Sequence, residues 1–231
     1  MSPERAAEPG ERGTAPRRPR PTPSQLAPLS GLAFAVLFAV GNWLWYWDAP
    51  EFAGDPEEVA EFYFLHSGEV IAGASLALIG IAFFLVFAGI VHRVLSRVDG
   101  PNGWLPAVAL GGAIAAAVAG LGAETINAAA AIRADEDAGI APQAAQVYFD
   151  ISQMLGFPAA AVGAAVFGAA VAAVALRTGE ILPRWFALLT LLFALLLLTP
   201  FSFIGIVLLA PWVAIVSLIL YAAERKREPS S

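Results

Sequence analysis

The sequence predicts an all-α fold: a polytopic bundle of six transmembrane helices with both termini in the cytoplasm. Three observations carry this expectation. Of 231 residues, 58% are apolar and only 14% are charged, whereas soluble domains run about 45–50% apolar and about 25% charged. Apolar runs of about 20 residues, the length that crosses a hydrocarbon layer, recur along the chain. The basic residues collect on one set of flanks, as the positive-inside rule describes. The scarcity of charge excludes a disordered regulator, and a pI near 4.9 argues against a nucleic-acid partner. With no Cys in the chain, disulfides, iron–sulfur clusters, thiolate zinc and a cysteine nucleophile are excluded.

Residues 1–24 are rich in Pro, Arg and Glu without apolar periodicity and read as a disordered cytoplasmic tail. The apolar stretch that follows is too long for a secretory signal and lacks a small-residue cleavage site. Arg17-Arg18 reads as an orientation signal that touches anionic headgroups. The membrane domain covers 25–223, with spans at about 26–47, 69–91, 104–126, 146–174, 184–200 and 203–222, and 224–231 form a second cytoplasmic tail. Span one ends in Trp43, Trp45 and Trp47, read as an aromatic anchor at the outer interface, with Trp104 and Trp185 at the inner one. Asp55-Pro56-Glu57-Glu58 is a helix start: Asp caps, Pro suits the first helical position, and acids suit the positive end of the dipole. A short helix over about 56–66 should lie along the outer surface, with Val59, Phe62, Tyr63 and His66 toward the membrane. Ser67-Gly68 should bend the chain into span two.

The apolar run after residue 183 is about 40 residues long, enough for two crossings. Thr199-Pro200-Phe201-Ser202 divides it, because Pro cannot continue the hydrogen-bond ladder. Six spans place Arg5, Arg12, Arg17, Arg18, Arg20, Arg93, Arg97, Arg177, Arg184, Arg225, Lys226 and Arg227 inside, 12 of the 13 basic residues, with only Arg133 outside. The two longer outer segments carry Asp48, Glu51, Asp55, Glu57, Glu58, Glu61, Asp135, Glu136 and Asp137. Five spans would strand Arg225-Lys226-Arg227 on the wrong side.

Polar residues within the spans are few and cluster toward the outer side: Asn42, Glu69, Glu124, Asn127, Asp150 and Gln153, with His66 just above. Steps of three or four from them run along small residues, as in Gly73, Ala77 and Gly80 from Glu69, or Gly120, Ala117 and Ala113 from Glu124. Small-residue stripes mark close helix contacts, so these groups should sit on packed faces and converge on an outward-opening pocket between the first four spans. Pro158 with Gly156 should kink span four beside it.

In the leading reading these groups are hydrogen-bonding glue or a ligand pocket. The alternative joins His66 and Glu69, three residues apart, to Glu124 and Asp150 as a metal or proton site, since carboxylates from facing helices with a Glu/His pair build such sites. Asp135-Glu136-Asp137 fails as a calcium loop because Gly139 takes the fifth ligand position. No phosphate-binding loop is present and no cofactor is expected.

Three further segments are Phe83–Arg93, Ile181-Leu182-Pro183-Arg184-Trp185 and Leu209-Ala210-Pro211-Trp212. Through them most of residues 28–224 resembles the multi-pass actinobacterial membrane proteins of unknown function. The resemblance implies a helical bundle in the plasma membrane and assigns no catalytic residue. The expected function is non-enzymatic: a structural or accessory subunit, or a binder of a lipid or small ligand. A small proton-coupled permease and an intramembrane metal-dependent hydrolase are the alternatives. The expected surroundings are the lipid bilayer, with a second copy of the chain or a membrane partner protein.

Overall fold

The computed structural model describes residues 26–100, 102–136 and 139–227; the tail read over 1–24, Asp137 and residues 228–231 lie outside the described residues. Among the described residues every regular element is helical. A 3-10 turn, Ala27–Leu29, leads into α1 (Ser30–Tyr46), followed by α2 (Pro56–Leu65), α3 (Ser67–Asp99), α4 (Leu105–Ala134) and α5 (Pro142–Met154). A single π-turn, Leu155–Ala159, joins α5 to α6 (Ala160–Thr178), and α7 (Arg184–Leu197) and α8 (Ser202–Arg227) complete the chain.

Among the described residues five stretches are long and apolar enough to cross a membrane: Ala27–Tyr46, Ser67–Asp99, Leu105–Ala134, Pro142–Thr178 and Ser202–Arg225. The sixth apolar segment differs from the span expected over 184–200. Helix α7 has 14 residues, about 21 Å at 1.5 Å per residue, against about 30 Å of hydrocarbon. It stops at Leu197, and the chain turns through Leu198–Phe201, with Ser202 N–H bonded to the Thr199 carbonyl at 3.0 Å. The turn therefore lies where the Thr-Pro-Phe-Ser sequence puts it. At the other end α8 stays helical through Arg227, past the boundary read at 224.

Five long helices and the shorter α7 form a ring: α1 packs on α3, α3 on α4, α4 on α6, α6 on α7, α7 on α8, and α8 returns to α1. Glycines set the tightest crossings. A Cβ on Gly41 would lie 2.5 Å from the Gly73 carbonyl oxygen and 3.0 Å from the Ala77 nitrogen, so α1 and α3 meet backbone to backbone, as membrane helices do where small residues allow it.

Aromatic rings fill one half of the ring's interior. Phe34 lies 5.0 Å from Phe84, and Phe167 meets Phe84, Phe87 and Trp212 edge to face at 5.9, 6.4 and 5.7 Å. Trp212 also donates its indole N–H to Thr190 Oγ1 at 3.0 Å. The far end of this half is tied by Arg177 paired with Asp99 and by Arg97 to Glu224 at 3.9 Å.

At the opposite end α2 covers the helix ends. Asp55 caps it, accepting from Glu57 N–H at 2.9 Å, as the sequence indicates. Its apolar face is not turned to lipid, however. Val59, Phe62 and Tyr63 are buried against Ala130, Ala131 and Ala134 of α4 and Phe149 of α5. Because α4 and α5 extend beyond the bilayer-length core, they offer α2 a protein surface in place of the membrane.

A cavity lined by Glu124 and Trp45

Between the aromatic core and the α2 cover lies a cavity of about 70 Å³. Its floor and walls are aromatic (Phe34, Phe38, Phe84, Phe157), and the polar groups on it are Glu124, Asn42, Asn127, Ser152, Gln153 and the Trp45 indole. Glu124 projects from α4 ten residues before the helix end, about 15 Å along its axis. The residue is 7% exposed and its Oε2 has no hydrogen-bond partner in the protein. An unpaired buried carboxyl is costly, which marks Glu124 off from the other described acids of this end, none of which is buried.

Trp45 is the second unpartnered group. It is 6% exposed and its Nε1 donor is unsatisfied by protein. The expectation that Trp43, Trp45 and Trp47 form one interfacial anchor is corrected. Trp43 and Trp47, four apart, share the outward face of the bundle at 66% and 67% exposure and meet edge to face with ring centroids 4.8 Å apart. Trp45, two residues from each, points inward. Gly73 makes room for it: a Cβ there would lie 2.7 Å from Trp45 Cδ1.

The remaining polar residues divide into those that line the cavity and those that hold its cover. Asn42 is half-buried and donates its amide to the Phe38 carbonyl at 2.9 Å, and Gln153 is half-buried on the cavity wall. Asn127 is buried and accepts from the Tyr63 hydroxyl at 2.7 Å, tying α2 to α4. Burial raises the Tyr63 phenol above its ordinary range, with a smaller contribution in the same direction from Asp150, so Tyr63 stays a neutral donor. Asp150 holds the cover, accepting from Ala53 N–H at 3.2 Å. One turn earlier Gln146 donates to the Gly54 carbonyl at 3.0 Å. Together they fix the loop between α1 and α2, in which Ala53 has a left-handed φ of 56°, a conformation costing alanine roughly 1–2 kcal/mol.

The four residues proposed as a metal or proton site do not come together. Among the described residues no three His, Asp or Glu side chains are grouped to hold a metal ion. His66 packs against Phe62 with ring centroids 5.4 Å apart and lies at the break between α2 and α3, as the N-cap of α3. Glu69 is exposed in the first turn of α3, while its neighbours Val70 and Gly73 take the packed face. The walls also extend beyond the first four spans, since Ile206 and Leu209 of α8 line the cavity.

Two larger grooves adjoin it. One, of about 280 Å³, runs between α1 and α8 past Phe38, Trp43, Trp47 and Val207. The other, of about 710 Å³, lies under the short α7–α8 turn, against Glu51, Phe52 and Pro200. Phe157 lines the cavity and both grooves. It sits on the π-turn with Pro158, which takes the place of a simple kink; such single π-turns occur often at functional sites. Comparison with protein-family models, with curated proteins and with solved structures finds no match to this chain.

Proposed function

We propose that the protein is a plasma-membrane bundle of six spans with both termini cytoplasmic, whose outer cavity binds a small amphipathic ligand. The binding reading rests on one observation: the buried Glu124 carboxyl and the Trp45 N–H both lack partners and line the same cavity. Two desolvated polar groups left open in an otherwise well-packed core are what a ligand's head would satisfy. The aromatic layer beneath them closes the cavity on its inner side and favours a binding site over a through-path.

The topology is supported by the register of the last hairpin. Thr190 pairs with Trp212, and a Cβ on Gly205 would meet Leu197, so α7 and α8 run antiparallel about residue 201. On that reading α7 is a short crossing whose outer turn sits below the headgroups, over the larger groove. The basic residues of α3, α6 and α8 also share one end, where Arg97 and Arg177 find Glu224 and Asp99. With no native Cys, single cysteines at Glu61 and Glu180 should label from opposite faces of intact cells with a membrane-impermeant maleimide, Glu61 from outside. Labelling of Glu180→Cys from outside would overturn the orientation.

Binding is tested with single-chain amphiphiles on protein in lipid nanodiscs, against empty nanodiscs. Radiolabelled dodecan-1-ol or dodecylamine should bind saturably, one per chain, and a Gly156→Leu variant should lose the site. A Cβ at Gly156 clears its neighbours, with Ala123 Cβ at 3.4 Å, so leucine fills the cavity without moving backbone. Absence of saturable binding of both molecules would leave Glu124 as helix-to-helix glue.

A further inference from the structure

We infer that the ligand of this cavity is a single-chain organic cation, its ammonium head on Glu124 and its alkyl chain in the groove between α1 and α8. The inference rests on the binding reading above and specifies the chemistry it selects. A buried carboxylate is stable only when paired or hydrogen-bonded, and among the described residues no Lys, Arg or His lines the cavity. An ammonium head would supply the counter-charge that the wall lacks and allow the Glu124 carboxyl to ionise on pairing.

The rest of the wall suits a cation as well. Phe34, Phe38, Trp45, Phe84 and Phe157 line the same cavity as Glu124, and aromatic faces attract ammonium groups, more strongly where water is excluded. Asn42 and Gln153, whose amides each carry an acceptor oxygen, line the same cavity. A phosphate or carboxylate head would find no cation here. At about 70 Å³ the cavity admits a head of a few heavy atoms and no long chain.

The chain has a place to go. Phe38, Asn42, Phe157 and Ile206 line both the cavity and the groove of about 280 Å³ between α1 and α8. The outer lip of that groove, Trp43 and Trp47, is open to lipid at 66% and 67% exposure. A molecule already in the outer leaflet can thus insert its head past Phe157 while its chain stays among apolar side chains. The same end of the bundle exposes Asp48, Glu51, Asp55, Glu58, Glu61 and Glu69, a field that concentrates cations near the opening.

The test is competition for radiolabelled dodecylamine in the nanodisc assay. Dodecan-1-ol and dodecanoate should each compete about tenfold or more weakly than unlabelled dodecylamine, the margin a charge-assisted contact to a buried carboxylate supplies. Glu124→Gln should weaken dodecylamine by about tenfold and change dodecan-1-ol by less than about twofold. Equal competition by the amine and the alcohol in the unmodified protein would overturn the cation inference and leave the binding reading standing. A preference for dodecanoate would overturn it equally. If no molecule binds saturably, both readings fall. The comparison of head groups on unmodified protein decides the matter even where Glu124→Gln does not fold.

Discussion

A Gly112→Val variant should lose much of the protein's stability, whereas Gly111→Val, one residue earlier on the same helix, should be close to neutral. A Cβ on Gly112 would stand 2.6 Å from the Phe167 nitrogen, 2.8 Å from the Gly163 carbonyl oxygen and 3.0 Å from Val166 Cβ. Two of these are backbone atoms of α6, which cannot rotate out of the way, so α4 and α6 must separate. The reciprocal contact confirms how close the approach is: a Cβ on Gly163 would meet Ala116 N and lie 2.7 Å from the Gly112 oxygen. Overpacking of this kind costs about 3 kcal/mol or more, a fall in Tm of about 10 °C for a chain of this size. Gly111 has nothing within 4 Å of its Cβ direction and is exposed, so a valine there faces lipid. The check is thermal unfolding of both variants in one detergent. Equal losses would mean that α4 and α6 do not cross at Gly112 and Gly163.

Phe167→Ala should be the most damaging single truncation in the aromatic half of the bundle. Phe167 is 1% exposed and meets three other aromatic side chains edge to face, with interplanar angles of 88–89°. Aromatic truncations in a closed core cost about 3–5 kcal/mol, and in a membrane the loss is one of packing, because lipid gives no hydrophobic drive to refill the space. Phe167 also packs against Phe84, which lines the Glu124 cavity. The variant should therefore unfold at lower temperature and, where it still folds, bind dodecan-1-ol with relaxed selectivity for chain length. A Tm change within about 2 °C would show that Phe84, Phe87 and Trp212 collapse into the gap and that the layer does not depend on its centre.

The two variants mark the division between what is legible along the chain and what is not. Helix positions follow from apolar runs and punctuation. The Asp55 cap, the break at Thr199-Pro200 and the irregularity at Gly156–Pro158 are all where local chemistry puts them, because a cap, a missing N–H and a ring clash act within one turn. Clustering of polar residues toward one end was equally legible, since a chain in hydrocarbon restricts where polar groups can go.

Which of those residues share a site was settled only by packing. Trp45 reads as one of three equivalent tryptophans until Gly73 opens a slot for it on α3. Its spacing, two residues from each lipid-facing neighbour, was the one sequence signal of its inward direction. Glu69 follows a perfect small-residue stripe yet stays exposed, because the crossing of α1 and α3 begins a turn further in. Asp150 and Gln146 spend their hydrogen bonds on a loop 92–97 residues away in sequence, and nothing local announces that pairing. Sequence by itself determined a helical, membrane-compatible chain with its polar groups gathered at one end, through rules that operate over a few residues. Only tertiary structure decided that Glu124, Trp45 and Phe157 meet at one cavity, because that depends on the rotation of each helix about its axis, and rotation is set by its neighbours.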